Sequence, residues 1–345
     1  MAALLFILST AILVYFLQAT YYTGPISDHF NGKRFFNSGE DQHEHNFSDV
    51  IKLYSTKRRA WNSEQQEIPK AYPTIDSTAK PSALIKITLI GHASILISIG
   101  DFKILTDPIF SERASPVQFI GPKRFHPPGI KFEDLPKIDL VLISHNHYDH
   151  LDLPTLKKLW LRDNPKIITA LGNDTIIKSI NKNIQVAAYD WDDCIEVKQN
   201  FEICLTPAKH WSARKLFDKG KALWSGFVIK SPAGNIYFAG DTGYGTGKYF
   251  KAIAEKYAPL KTALLPIGAY EPRWFMKHYH LNPEEALLVW QTLGRPLMIP
   301  IHDRVFQLSQ ESYNQPRLDL LDALQKLPET TDRVKYLAIG ESIAI

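Results

Sequence analysis

A chain of 345 residues with 45% hydrophobic and 22% charged side chains has enough apolar material for one large globular domain or two modest ones, which excludes a disordered or fibrous protein. The formal net charge of +4, from 40 basic and 36 acidic residues, is too small an excess to mark a nucleic-acid footprint, so no nucleic-acid partner is expected. Cys194 and Cys204, the two cysteines present, cannot staple a fold of this size and are expected as buried reduced thiols.

The amino terminus begins with an apolar stretch that carries no formal charge from Ala2 to Ser27. Residues 1–22 predict a membrane-anchor helix, since about 20 apolar residues span a bilayer and Tyr21 and Tyr22 suit the headgroup level. Lys33 and Arg34 lie downstream, which favours a single-pass anchor with the catalytic body in the cytoplasm. A cleaved signal peptide, giving a periplasmic or secreted protein, is the competing reading. Residues 23–83 mix Pro, Asn, Ser and charge with the aromatics Phe35, Phe36, Trp61 and Tyr72, predicting a mostly irregular extension pinned by occasional anchors. Its Lys57-Arg58-Arg59 run reads as a solvated face.

From residue 84 to 345 the texture changes to short apolar runs punctuated by Gly, Asp and Pro. Strands are predicted at 84–90, 94–99, 102–106, 138–143, 166–170, 201–205, 225–230, 235–239, 262–266 and 296–301. Helical spacing appears at 153–162, 173–180, 247–257, 283–293 and 317–326. Strands interleaved with helices over this length argue for a layered α/β domain.

The chemistry concentrates on the loop after the strand ending at Ile143, where His145, His147, Asp149 and His150 fall within six positions. Four ligand-type side chains on one loop suggest two metal ions rather than one, with His145 and His147 facing one ion and Asp149 and His150 the other. Three further strand ends each expose one candidate: His210 after Leu205, Asp241 in Gly240-Asp241-Thr242-Gly243, and His302 after Ile301. Singly these are weak signals, since Asp in such a turn is often turn chemistry, but together they complete two sites. His92, in Gly91-His92-Ala93, is expected to support its strand turn or the ligands from behind.

These motifs resemble the metallo-β-lactamase superfamily. Residues 106–116, 121–125, 145–152, 239–244 and 267–276 resemble one branch more closely, the N-acylphosphatidylethanolamine-hydrolysing phospholipase D proteins, with the likeness running from about residue 84 to 342. The resemblance implies an αββα sandwich preceded here by the apolar helix. It implies two Zn2+ ions, other divalent metals remaining open: one held by His145, His147 and His210, the other by Asp149, His150 and His302, with Asp241 bridging. Gln118 and Phe119 would contact substrate, Phe119 standing where a tyrosine is expected, so that a hydroxyl is lost. His302-Asp303-Arg304 places a carboxylate and a guanidinium beside the last ligand. The loop residues Ile109, Phe110, Val117, Phe119 and Ile120 could wall an acyl chain.

Two such ions and the carboxylates of Asp149 and Asp241 leave a net positive centre that attracts an anionic ester, with a metal-bridging hydroxide as nucleophile oriented by Asp241 and with Asp149 counted among the catalytic residues. His280, just before a helix starting near Pro283, is the candidate acid for the leaving alkoxide. The expected activity is a phospholipase D-type hydrolysis of a membrane phospholipid such as N-acylphosphatidylethanolamine, at the membrane, by a chain that could also pair as a homodimer. A lactonase or other ester hydrolase, a membrane-tethered metal- or lipid-binding protein without turnover, and a nuclease are the alternatives; the modest charge disfavours the last.

Overall fold

The computed structural model describes residues 20–41, 47–55, 61, 85–327 and 332–345. One sheet of seven strands contains β1 (Ile85–Gly91), β2 (Ser94–Ile99), β3 (Phe102–Thr106), β4 (Leu140–Ile143), β5 (Lys166–Ala170), β6 (Val186–Tyr189) and β13 (Ser342–Ala344), in the order β13-β1-β2-β3-β4-β5-β6. The second, of six, contains β7 (Cys194–Lys198), β8 (Phe201–Thr206), β9 (Gly226–Lys230), β10 (Asn235–Phe238), β11 (Leu260–Pro266) and β12 (Leu297–Ile301), in the order β12-β11-β10-β9-β8-β7. The helices are α1 (Phe47–Ser55), α2 (Leu153–Asp163), α3 (Asn173–Lys178), α4 (Lys248–Tyr257), the single turn α5 (Arg273–Met276), α6 (Pro283–Thr292) and α7 (Gln315–Gln325).

The two sheets pack face to face, and burial explains the strand texture. In β4, Leu140 and Leu142 join the inter-sheet core with Ile87, Ile97, Phe227, Phe238 and Leu264, while Val141 and Ile143 turn the other way, toward Leu156 and Leu159 of α2. A strand covered on both faces reads as a continuous apolar run, and β4 pairs in parallel with β3 and β5 as such strands do. Each fully buried Leu, Ile or Phe contributes roughly 1.5–3 kcal/mol through removal from water. The outer face of the second sheet is covered by Phe250 and Ile253 of α4, Leu287 and Trp290 of α6 and Leu320 of α7. The predicted layered α/β architecture is therefore observed, with two sheets between helical layers.

Helix α6 starts where its sequence says it must. Asn282 Oδ1 accepts from Glu285 N at 2.8 Å, the Glu285 carboxylate accepts from Asn282 N at 3.1 Å, and Pro283 occupies the first turn where no N–H is needed. Strands β6, β7 and β13 and helices α1 and α5 lie outside the predicted elements. β7 is an edge strand whose residues alternate between exposed and half-buried, so it lacks the apolar run that marks its neighbours.

Several expectations need correction. Cys194 and Cys204 face each other across the antiparallel β7–β8 ladder, with Cα atoms 4.0 Å apart, and form a disulfide; Cys194 is exposed, so two buried reduced thiols are not what the fold provides. Tyr21 and Tyr22 are bound to the protein body: Tyr21 donates to Asp218 Oδ2 at 2.7 Å and the Tyr22 ring packs edge-on against Phe30 at 5.0 Å. The apolar stretch up to Ala19, Lys57-Arg58-Arg59 and Tyr72 lie outside the described residues. Among the described residues no helix is long and apolar enough to cross a membrane. Within the extension, Phe35 is buried, and Trp61 packs edge-on against Phe125 and Tyr313, which are the anchoring contacts expected of it.

Candidate metal centre

The ends of β4, β8, β10 and β12 converge on one point between the sheets. His145, His147 and His210 form one group of facing donors; Asp149, His150 and His302, joined by His92, form another; Asp241 falls with His145 and His150 and also with His210 and His280. His145 Nε2 lies 2.9 Å from His147 Nδ1, which is 3.2 Å from His210 Nε2. In the second group His150 Nε2 lies 3.2 Å from both Asp149 Oδ2 and Asp241 Oδ2, and His302 Nε2 lies 3.5 Å from Asp149 Oδ2. Asp241 spans the two, its Oδ2 being 3.8 Å from His210 Nε2 and its Oδ1 3.1 Å from His302 Nε2.

The donor set fits divalent cations. Donors held about 2.0–2.1 Å from a tetrahedral zinc stand ~3.4 Å from one another, close to the separations found here. Asp241 Oδ1 is buried and has no hydrogen-bond partner among the described residues, although His302 Nε2 lies 3.1 Å away, which leaves its lone pairs available to a cation. The outward ring nitrogens fix the tautomers. His150 Nδ1 donates to Asp107 Oδ2 at 2.7 Å and His210 Nδ1 to the Tyr279 carbonyl at 2.9 Å, leaving each Nε2 as a lone pair for a metal.

Electrostatics separate the two groups. Burial pushes His147 down to about 3 and His210 to about 4, so both rings are neutral, the form that ligates metal. Burial also acts to lower His302, but the carboxylates of Asp241 and Asp149 outweigh it and raise the imidazole to about 9. Asp149 and Asp241 feel the converse: burial favours their neutral forms, yet His150 and the other facing imidazoles hold both well below the usual carboxylate range.

Local backbone geometry is specialised at these strand ends. His92, Asp107 and His302 adopt left-handed conformations (φ 59°, 33° and 67°), uncommon for residues with a side chain. Gly240 (φ 59°) precedes Asp241 because a Cβ there would meet Ser144 Cβ at 2.8 Å.

Other site candidates are placed as follows. His280 is brought in, its Nδ1 3.8 Å from Asp241 Oδ2, and burial holds its imidazole well below its ordinary pKa. His92 backs the second group as expected, its Nε2 2.9 Å from Asp149 Oδ2 and its ring 3.9 Å from that of His302. Gln118 and Phe119 sit on an exposed loop; the Gln118 carboxamide accepts from Arg113 N at 3.1 Å, and Phe119 is 83% exposed. The proposed acyl wall divides: Ile109 is core and Phe110 packs beside it, while Phe119 and Ile120 project into solvent. Asp303 and Arg304 are buried and satisfied away from the ligands, Arg304 Nε donating to Asp303 Oδ2 at 3.1 Å, Arg304 Nη2 to the Leu337 carbonyl, and the Tyr336 hydroxyl also donating to Asp303.

Two supporting residues escaped the sequence reading. Asp107, fully buried, accepts from Ser144 N, Ser144 Oγ and His150 Nδ1. Arg214 donates through Nη1 to the carbonyls of Asn146 and Leu151, both at 2.8 Å, and lies 4.0 Å over the Tyr148 ring, clamping the ligand loop from outside. Asp107 lies in the 106–116 motif; nothing near Arg214 in the chain announces its partner. Beside His210 lies a cleft of about 370 Å³ walled by Phe35, Phe36, Asn37, Trp211 and Tyr279.

Comparison with known proteins shows the family. The profile of the beta-lactamase superfamily domain matches residues 103–302. N-acyl-phosphatidylethanolamine-hydrolyzing phospholipase D 1 of Caenorhabditis elegans is 35% identical over 318 residues, covering 87% of this chain and 88% of that protein. A mitochondrial Saccharomyces cerevisiae protein with the corresponding name is 34% identical over 81% of this chain and 62% of its own. Among solved structures, a metallo hydrolase from Ignicoccus hospitalis superposes with a TM-score of 0.55 at 25% identity, covering 76% of this chain and 98% of that one.

Proposed function

The chain belongs to the beta-lactamase superfamily and is a metal-dependent hydrolase, and from that premise we propose that it is a two-zinc phosphodiesterase of phospholipase D type acting on N-acylphosphatidylethanolamine-like membrane lipids. The observation that carries the substrate class is the near-full-length likeness to the nematode phospholipase. In this reading His145, His147 and His210 hold one ion, Asp149, His150 and His302 the other, and Asp241 serves both. Bound there, the ions supply Lewis-acid polarisation of a phosphoryl oxygen and acidify a water toward neutral pH.

The chain's own groups do the rest. The buried donors exclude bulk water, which strengthens every charge interaction with an anionic ester. The carboxylate of Asp241 can accept a hydrogen bond from the attacking water and so orient it, with Asp149 holding the other side. His280 is kept neutral by burial, and a neutral imidazole donates through one nitrogen while accepting through the other. It would therefore relay a proton to the leaving alkoxide rather than store one. The segment before Thr20 serves in this reading as the tether to the membrane, with Tyr21 and Tyr22 engaged by the body.

Mass spectrometry of products from mixed-lipid vesicles tests the assignment. Phosphatidate with a free N-acylethanolamine is the expected pair. Diacylglycerol would place cleavage on the other side of phosphorus, and turnover confined to soluble lactones would replace the lipid reading with the ester-hydrolase one.

A related expectation concerns the exposed loop. Asp in place of Phe119 should change stability by less than about 0.5 kcal/mol, as surface substitutions do. Turnover of vesicle lipid should nevertheless fall several-fold while hydrolysis of a small soluble diester stays level, because a charge opposes contact with acyl chains and leaves the metal ligands untouched. Equal rates for wild type and Phe119→Asp on vesicles would remove Phe119 from the substrate surface.

A further inference from the structure

The segment 20–41 is laid across the body as a strap. Phe35 N donates to the Gly220 carbonyl at 2.7 Å, and Gly220 (φ 70°) permits the approach, since a Cβ there would meet Phe35 O at 3.0 Å. Glu40 is buried and accepts from Thr246 N and Oγ1, with Lys209 Nζ at 3.5 Å. Between these attachments lies Asn37, only 6% exposed.

Asn37 meets a gap in the backbone pairing of the second sheet. β8 ends at Thr206, so His210, four residues on, has no strand partner for its peptide groups. The Asn37 carboxamide supplies one: Nδ2 donates to the His210 carbonyl at 3.0 Å, and Oδ1 accepts from His210 N at 3.1 Å. A primary amide presents the same donor and acceptor as a peptide group, so this side chain pairs with His210 as a neighbouring strand would. Trp224 Nε1 donates to the Ala208 carbonyl at 2.8 Å and to Asn37 Oδ1 at 3.2 Å, tying the carboxamide to the same loop. The Tyr279 carbonyl orients the imidazole of His210; Asn37 holds the backbone from which that imidazole projects.

We propose that Asn37 is a positioning residue for His210 and that the strap is thereby a working part of the metal centre. The proposal rests on the reading of His145, His147 and His210 as one metal triad. Without the carboxamide, the His210 peptide would lose both partners and its Nε2 would no longer be fixed against His147 Nδ1.

The test is titration of the metal-free full-length protein with Co2+ and Zn2+, read by the visible absorption of bound cobalt and by chelator competition. For Asn37→Ala, affinity at one of the two ions should fall about 10- to 100-fold, the range found when groups that orient a ligand are removed. The cobalt spectrum of that ion should change while the other stays as in the wild type. Folded Asn37→Ala protein with wild-type spectrum and affinity overturns the proposal. Should Asn37→Ala fail to fold, Trp224→Phe, which keeps an aromatic ring and removes the N–H that Asn37 Oδ1 shares with the Ala208 carbonyl, should show a smaller drop in the same direction, and an unchanged titration there is equally fatal. Asn31→Ala disturbs the strap at a turn remote from His210, where Asn31 Oδ1 accepts from Lys33 N and Arg34 N. It should leave the cobalt spectrum unaltered; a loss matching that of Asn37→Ala would mean that general loosening of the strap, not Asn37, is responsible. Wild-type protein that takes up no divalent ion would instead defeat the metal triad itself.

Discussion

Asp241→Asn should lower turnover by about 10²- to 10³-fold, the scale on which removing one preorganised charge-stabilising group acts. Asparagine keeps the size of the side chain and one carbonyl oxygen, so packing and the turn around Gly240 are preserved. What is lost is the negative charge that lies within 3.8 Å of His210 Nε2, 3.2 Å of His150 Nε2 and 3.1 Å of His302 Nε2. Because this carboxylate reaches both donor groups, metal analysis should find the variant short of the two ions per chain expected for the wild type. Replacing His147 by Ala touches one group only, so it should cost less than Asp241→Asn. Full activity of Asp241→Asn with unchanged metal content would refute the shared-carboxylate reading.

Asp107→Ala should be the most damaging change to stability. It leaves three buried donors, Ser144 N, Ser144 Oγ and His150 Nδ1, without the acceptor they share. An unsatisfied buried group costs about 1–3 kcal/mol, so several such losses approach the 5–15 kcal/mol that holds a typical domain together. The effect on the site is separate from the effect on the fold. With Asp107 gone, nothing fixes the His150 proton on Nδ1, and affinity for the metal at the Asp149–His150–His302 group should fall about 10- to 100-fold even in protein that remains folded. Denaturant unfolding and metal titration read the two effects independently; a variant as stable and as metal-avid as the wild type would show that Asp107 neither supports the loop nor orients His150.

The legibility of this site follows the distance along the chain over which its parts are specified. His145, His147, Asp149 and His150 are adjacent in the sequence, so their convergence needed no fold to be recognised. His210, Asp241 and His302 were legible because each stands at the first turn after an apolar strand, and a layered α/β domain gathers strand ends at one edge. His92 was read as a support and is found against Asp149 and His302. Asp303 and Arg304, expected beside the last ligand, turn away from it, since position beside a ligand in sequence does not decide where a side chain turns. A reversal of the backbone at His302 and Arg304, both with positive φ, takes the pair to Tyr336 and Leu337 instead.

The sequence by itself determined the α/β layering, the positions of most strands and helices and the inventory of metal donors, because these rest on local periodicity and on residue chemistry at strand ends. The tertiary structure alone decided what stands behind those donors. Asn37 meets His210 across 173 positions, Arg214 reaches Asn146 across 68, and Cys194 finds Cys204 only because β7 and β8 pair in that register. Such contacts leave no periodic trace: a single polar side chain satisfying a distant backbone group is, in sequence, indistinguishable from one facing water. Its partner is chosen by the packing of the whole chain, since burial makes an unpaired polar group costly and the sheets fix which groups come within reach.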